Sequence, residues 1–230
     1  MSRPTFLSAS RFGRVAAALC LSGLLAACGD DLEPKPGDED PLPTDGTHVR
    51  HVRNADGSTS TTVNATDSSA WIGLDLDDGK QVAADADALW DLSFNRYHIR
   101  SRGGVNGTGG VQVAVVSGQD FAALTQAPAS GYEVDADDGD DEGADPDTVF
   151  EANGAWYSYD VSTHKLTPRA LVYVVRTDSG AYFKVKMESY YDDAGTPAML
   201  KLRWSELTAP TGGAGVDAVP SEGISVEASR

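Results

Sequence analysis

Between residues 48 and 207 the apolar residues recur at every second position in short runs, and each run stops at a cluster of Gly, Asp, Asn or Ser. A period of two sends successive side chains to opposite faces of an extended chain, so such a stretch buries an apolar face only by pairing strands into sheets. Residues 70–76 read as a short strand turning at Asp77-Asp78-Gly79, and 89–100 as one long strand ahead of the glycine-rich turn 103–110. Further strands are expected at 111–116, 155–159, 171–177, 181–191 and 199–204, with a short helical stretch at 120–124. Thr177-Asp178-Ser179-Gly180 and Asp192-Asp193-Ala194-Gly195 supply hairpin turns. The pattern predicts one all-β domain over 48–207, a mainly antiparallel meander, with Trp71, Trp90, Trp156 and Trp204 as core anchors.

The N-terminus reads as an export signal. Arg3, Arg11 and Arg14 form a basic opening, and residues 15–27 are apolar and small. That run is too short to span a bilayer, which takes roughly 20 apolar residues, and a short apolar run behind a basic opening marks a secretory signal. Leu25-Ala26-Ala27-Cys28 matches the bacterial lipobox. Residues 1–27 are therefore expected to be a cleaved signal peptide, with Cys28 carrying the lipid. Gly29, rather than Asp, follows the cysteine and suits an outer-membrane destination. Residues 28–47 are acidic and rich in proline, a lipidated tether reaching about 60 Å when extended at roughly 3.3 Å per residue. Residues 208–230 are rich in Gly, Ala, Pro and Ser and are expected to be a disordered tail. Cys20 leaves with the signal and Cys28 is acylated, so the domain has no disulfide and no thiolate metal site.

The formal net charge is −17; removing the three signal arginines leaves 15 basic against 35 acidic side chains, a net of −20. Nucleic-acid binding, which depends on neutralising phosphates, is excluded on that balance. A dianionic small ligand would need a local cationic spot. His-Glu-x-x-His, Gly-x-Ser-x-Gly, the P-loop and the dinucleotide fingerprint are all missing, so the sequence is not read as an enzyme.

Several strand segments carry a resemblance to a known family. Val63-Asn64-Ala65-Thr66-Asp67 leads into Trp71, and Trp90-Asp91-Leu92-Ser93-Phe94-Asn95-Arg96-Tyr97 leads into Gly103-Gly104. Later come Trp156-Tyr157-Ser158-Tyr159-Asp160, Leu166-Thr167-Pro168, Tyr173-Val174-Val175-Arg176, and Phe183-Lys184-Val185 before Tyr190-Tyr191-Asp192. From about Val63 to Trp204 the chain resembles the HmuY family. The resemblance implies an all-β, grip-like fold on an outer-membrane lipoprotein that captures haem and passes it to an outer-membrane transporter, with two His or Met side chains on the iron. No motif fixes either ligand by position. The alternative is an envelope binding or scaffold lipoprotein that keeps the fold without haem.

Arg96, His98, Arg100 and Arg102 occupy alternate positions, the densest basic stretch of an acidic chain. They read either as a solvated strand face or as a site in which arginines hold haem propionates. The apolar phase flips near Asn95, where a bulge would re-aim side chains. If haem binds, His98 and His164 are the expected axial pair, imidazole being the stronger donor to oxidised iron, with Arg96 and Arg100 on the propionates. No other metal is expected. His164 also reads as an ordinary turn residue, Met187 and Met199 as core, and His48 and His51 as surface residues beside the tether. Residues 133–147 hold nine acids and no base. They lack the ordered spacing of a calcium loop and are expected to be a self-repelling, flexible segment.

Overall fold

The computed structural model describes residues 45–84, 89–137, 148–152 and 155–211. The expected signal peptide, Cys28, most of the tether, most of the tail and residues 138–147 of the acidic run lie outside the described residues.

The domain is all-β and its strand pairs are antiparallel, as the period of two predicts. Seven strands form the large sheet, in the order β1 (Val49–Arg53), β2 (Thr59–Asn64), β13 (Pro197–Leu207), β12 (Tyr182–Tyr191), β11 (Leu171–Arg176), β7 (Gln112–Ser117) and β8 (Tyr132–Glu133). A four-stranded sheet runs β4 (Lys80–Ala83), β3 (Ile72–Asp75), β5 (Leu92–Asn95) and β6 (His98–Ser101). A separate hairpin pairs β9 (Tyr157–Asp160) with β10 (Lys165–Pro168).

The main core lies where the two sheets meet. Val63, Tyr173, Val185, Leu200, Leu202 and Trp204 come from the large sheet, and Leu74, Leu92, Phe94 and Ile99 from the small one. Each fully buried side chain of this size is worth about 1.5–3 kcal/mol. A second cluster, with Ala114, Val172 and Val174, covers the other face of the large sheet under Phe121, Leu124 and Ala127. β11 is thus buried on both faces, which is why it reads as a continuous apolar run. Lys184 reaches through this layer, donating from Nζ to the carbonyls of Phe121 and Leu124 at 2.7 Å each. Those carbonyls belong to the stretch expected to be helical, which forms only a single turn closed by Ala123 and Leu124 N–H on the Asp120 carbonyl.

The long strand expected at 89–100 is in fact a hairpin. β5 and β6 pair Asn95 with His98 and Phe94 with Ile99, leaving Arg96 and Tyr97 as a two-residue turn. Arg96 takes the positive φ, 54°, that such a turn needs. The apolar phase flip at Asn95 marks this reversal of direction rather than a bulge. Trp90, Trp156 and Trp204 are buried as expected, whereas Trp71 is only half-buried.

Candidate functional site

The β5–β6 turn brings its basic residues against the β9–β10 hairpin and the end of β12. His98, on β6, hydrogen-bonds through Nδ1 to Glu151, at 3.0 Å to Oε1 and 3.2 Å to Oε2. Both side chains are largely enclosed, 17% and 15% exposed. The Tyr97 ring lies 4.1 Å from the imidazole and meets Tyr157 edge-on at 5.7 Å. Trp156 donates from Nε1 to the Tyr97 carbonyl at 2.8 Å and continues the aromatic contacts to Tyr157 and Tyr190. The Tyr191 hydroxyl accepts the Leu166 N–H at 3.1 Å, tying the hairpin to β12. Burial, reinforced by the charge of Glu151, pushes the Tyr157 hydroxyl up to about 12, and burial raises Tyr190 as well. These tyrosines are neutral phenols at physiological pH.

The four basic residues do not share one strand face. Arg96 sits in the turn, where Nη1 donates to the Thr66 carbonyl at 3.1 Å and the guanidinium also bonds Tyr190. Arg102 lies beyond β6, buried in an ion pair with Asp178. Only His98 and Arg100 remain alternate neighbours on β6. The Arg100 guanidinium stacks 4.0 Å from the Trp71 ring and 5.1 Å from Trp90, and donates to Ser93 Oγ and the Ala84 carbonyl. Burial lowers its pKa.

His164 stands in the turn of the β9–β10 hairpin with φ 55°. It is exposed, and its Nδ1 lies 2.6 Å from the Tyr159 hydroxyl. The hairpin touches the His98 cluster through Tyr157, which pairs with Pro168 at the open end of the ladder. The His164 turn closes the other end, beyond the Asp160–Lys165 pair. Three residues of strand separate the ends, about 10 Å at roughly 3.3 Å per residue. No hydrogen bond or ring contact among the described residues joins His98 to His164. Met187 is buried in the core, and half-buried Met199 pairs with Asn64 in the sheet.

Two expectations are corrected. His51 is not a surface histidine: it is half-buried, with Nδ1 on Thr61 Oγ1 at 2.8 Å and its ring edge-on to Trp204, and burial lowers its pKa. Asp135, inside the acidic run, is not a solvated loop residue either. Only 1% exposed, it accepts from Ser101 N–H, Asn106 Nδ2 and Val149 N–H at 2.7–2.9 Å. It clamps the start of the glycine-rich turn, where Gly104 has φ 59° and any Cβ would strike the Asp135 carbonyl.

Sequence reasoning missed Glu151 altogether. It also missed a carboxylate group, Asp75, Asp77 and Asp91, whose nearest oxygens all lie within 4.8 Å of one another. These sit at the far end of the four-stranded sheet from the β5–β6 turn, beside a cavity of about 420 Å³ walled by Asp56, Asp77, Asp78, Glu206, Phe183 and Trp204. That cavity, lined by four acids and Arg53, sits apart from His98.

Solved structures with this architecture include the apo HmuY analogue of Tannerella forsythia, at TM-score 0.50 and 15% identity, covering 71% of this chain and 99% of that one. A Bacteroides vulgatus protein described as HmuY-like and haem-binding aligns at TM-score 0.49 and 17% identity, over 67% and 95% of the two chains. A Bacteroides fragilis protein described as a lipoprotein aligns at 0.49 and 21%, over 67% and 93%. The comparison with curated proteins returned no match. The model of the HmuY protein family matches residues 67–204, more than half of the sequence, and the chain therefore belongs to the HmuY family.

Proposed function

We propose that this chain is a lipid-anchored protein of the outer membrane that binds haem for iron acquisition and hands it to an outer-membrane transporter, with Cys28 bearing the anchor. The family is one of binding proteins rather than enzymes, and membership of it supports the reading. The observation that carries it is His98: a half-buried imidazole in the family-matched region, with Nδ1 engaged by Glu151 and the Tyr97 ring against it, Tyr97 in turn meeting Tyr157 and Tyr157 meeting Trp156. This donor set fits a porphyrin iron, offering one nitrogen ligand, the half-buried Tyr97 and Tyr157 rings and, in Arg96, a cation in the adjoining turn. Bound haem supplies the iron, which the protein holds rather than turns over. His98 and His164 would hold the iron, and Arg96 and Arg100 would serve the propionates.

A haemin titration of the acyl-free mature chain tests this. A saturable Soret band with low-spin visible bands is expected, and His98→Ala should convert it to a weaker, five-coordinate spectrum. Free-haemin spectra throughout would sink the proposal. The second reading, an envelope binding or scaffold lipoprotein without haem, draws on the separation of His98 from His164 across the hairpin. It predicts that free-haemin result.

A further inference from the structure

We propose that Glu151 is a positioning residue that presets His98 as an Nε2 donor; the inference rests on the haem reading above and assigns the neighbour that prepares its ligand. An ionised carboxylate only accepts hydrogen bonds, so the contact of both Glu151 oxygens with Nδ1 places the imidazole proton on that nitrogen. A neutral ring protonated at Nδ1 carries its lone pair on Nε2. Carboxylates in this relation to a metal-bound histidine fix the ring's orientation and raise its donor strength.

Two features show that the pair is built in. Glu151 follows Phe150, which is fully buried and stacks on Tyr173 at 4.2 Å. Its turn is held further by Glu151 N–H on the Thr148 carbonyl at 3.0 Å and by the Asp135 carboxylate on Val149 N–H. The carboxylate therefore stands on a segment nailed into the core. From the other side the Tyr97 ring limits rotation of the imidazole. Because both partners are mostly enclosed, water competes little for this hydrogen bond. His164 has no such support: its Nδ1 partner is the Tyr159 hydroxyl, which can donate or accept, so neither tautomer is imposed. The two histidines are thus unequal, His98 preset and His164 adaptable.

The test has two arms. Long-range proton–nitrogen correlation spectra of the haem-free protein should show His98 in the Nδ1-protonated tautomer, and Glu151→Gln should give a mixture of tautomers. In the haemin-bound protein, Glu151→Gln should weaken ferric haemin binding by about 10–100-fold and move the midpoint potential to a more positive value. Glu151→Asp should recover part of both. An Nε2-protonated His98 in the wild type, which needs no variant to fold, overturns the proposal. So does a Glu151→Gln protein with wild-type affinity and potential while His98→Ala loses binding. A wild type that binds no haemin at all overturns the haem reading, and this inference with it.

Discussion

Replacing Asp91 with Asn isolates the cost of a buried charge. Asp91 is 4% exposed, accepts the Leu76 N–H at 2.7 Å, and shares its surroundings with Asp75 and Asp77. Burial first, and then the charges of Asp77, Asp75 and Asp178, push its carboxyl from 3.8 up to about 7. Between those values the folded protein keeps a proton that the unfolded chain has already released. The raised carboxyl therefore favours folding at low pH, and that advantage is lost as pH climbs toward 7. A shift of roughly three units, at about 1.4 kcal/mol each, makes the ionised side chain a burden of about 4 kcal/mol. Asn offers the same carbonyl to Leu76 and never ionises. Asp91→Asn should therefore exceed the wild type by about 4 kcal/mol at pH 8, and by only about 2 kcal/mol at pH 5, where the folded Asp91 is protonated. Asp135, raised by burial, and His51, lowered by it, titrate in both proteins and cancel in the difference, whereas Asp75, whose charge acts on Asp91, is relieved by the same substitution and adds to it. Urea unfolding followed by tryptophan fluorescence at several pH values gives both stability curves. Parallel curves from pH 5 to 8 would show that Asp91 ionises without cost in the fold and would refute the reasoning.

Asp135→Ala should destabilise the domain by about 3 kcal/mol, since it strands the buried N–H groups of Ser101 and Val149 without an acceptor; a urea midpoint within experimental error of wild type would contradict that role. Cys28→Ala should abolish incorporation of labelled fatty acid and leave the chain unprocessed or soluble, and membrane partitioning equal to wild type would rule out the lipid anchor.

The strands were legible where apolar residues alternate along them or run on unbroken, as in doubly buried β11. β3, β12 and β13 announce themselves by alternation and β7 and β11 by their apolar runs, and the Asp-Gly and Ser-Gly turns between strands carry their own backbone chemistry. β1, β2 and β10 escaped notice as strands because their sequences, Val-Arg-His-Val-Arg, Thr-Ser-Thr-Thr-Val-Asn and Lys-Leu-Thr-Pro, hold few apolar residues. Their place in the fold comes from pairing, β2 with β13 across nearly the whole domain, and pairing of that range leaves no local mark. The hairpin at Arg96 misled for a different reason. Tight turns favour Gly, Asn or Asp at a positive φ, and Arg96-Tyr97 gives no such sign. The reversal left only a phase change in the apolar pattern, which a bulge explains equally well.

For the site, His98 was visible as a histidine in a basic stretch, but what makes it distinctive lies 53 residues away in Glu151. Glu151 comes just after the acidic run, where charge density suggests one more solvated carboxylate. It is set apart by its neighbour: Phe150 is driven into the core, and a side chain one position from a buried anchor is carried to a fixed place. The same logic applies to Asp135, since core-buried Val149 brings an N–H group that needs an acceptor to the same spot. Composition averages over such differences. A run of acids bracketed by apolar residues is better read from its ends inward, where core burial has already fixed the backbone and a carboxylate meets donors that cannot reach water.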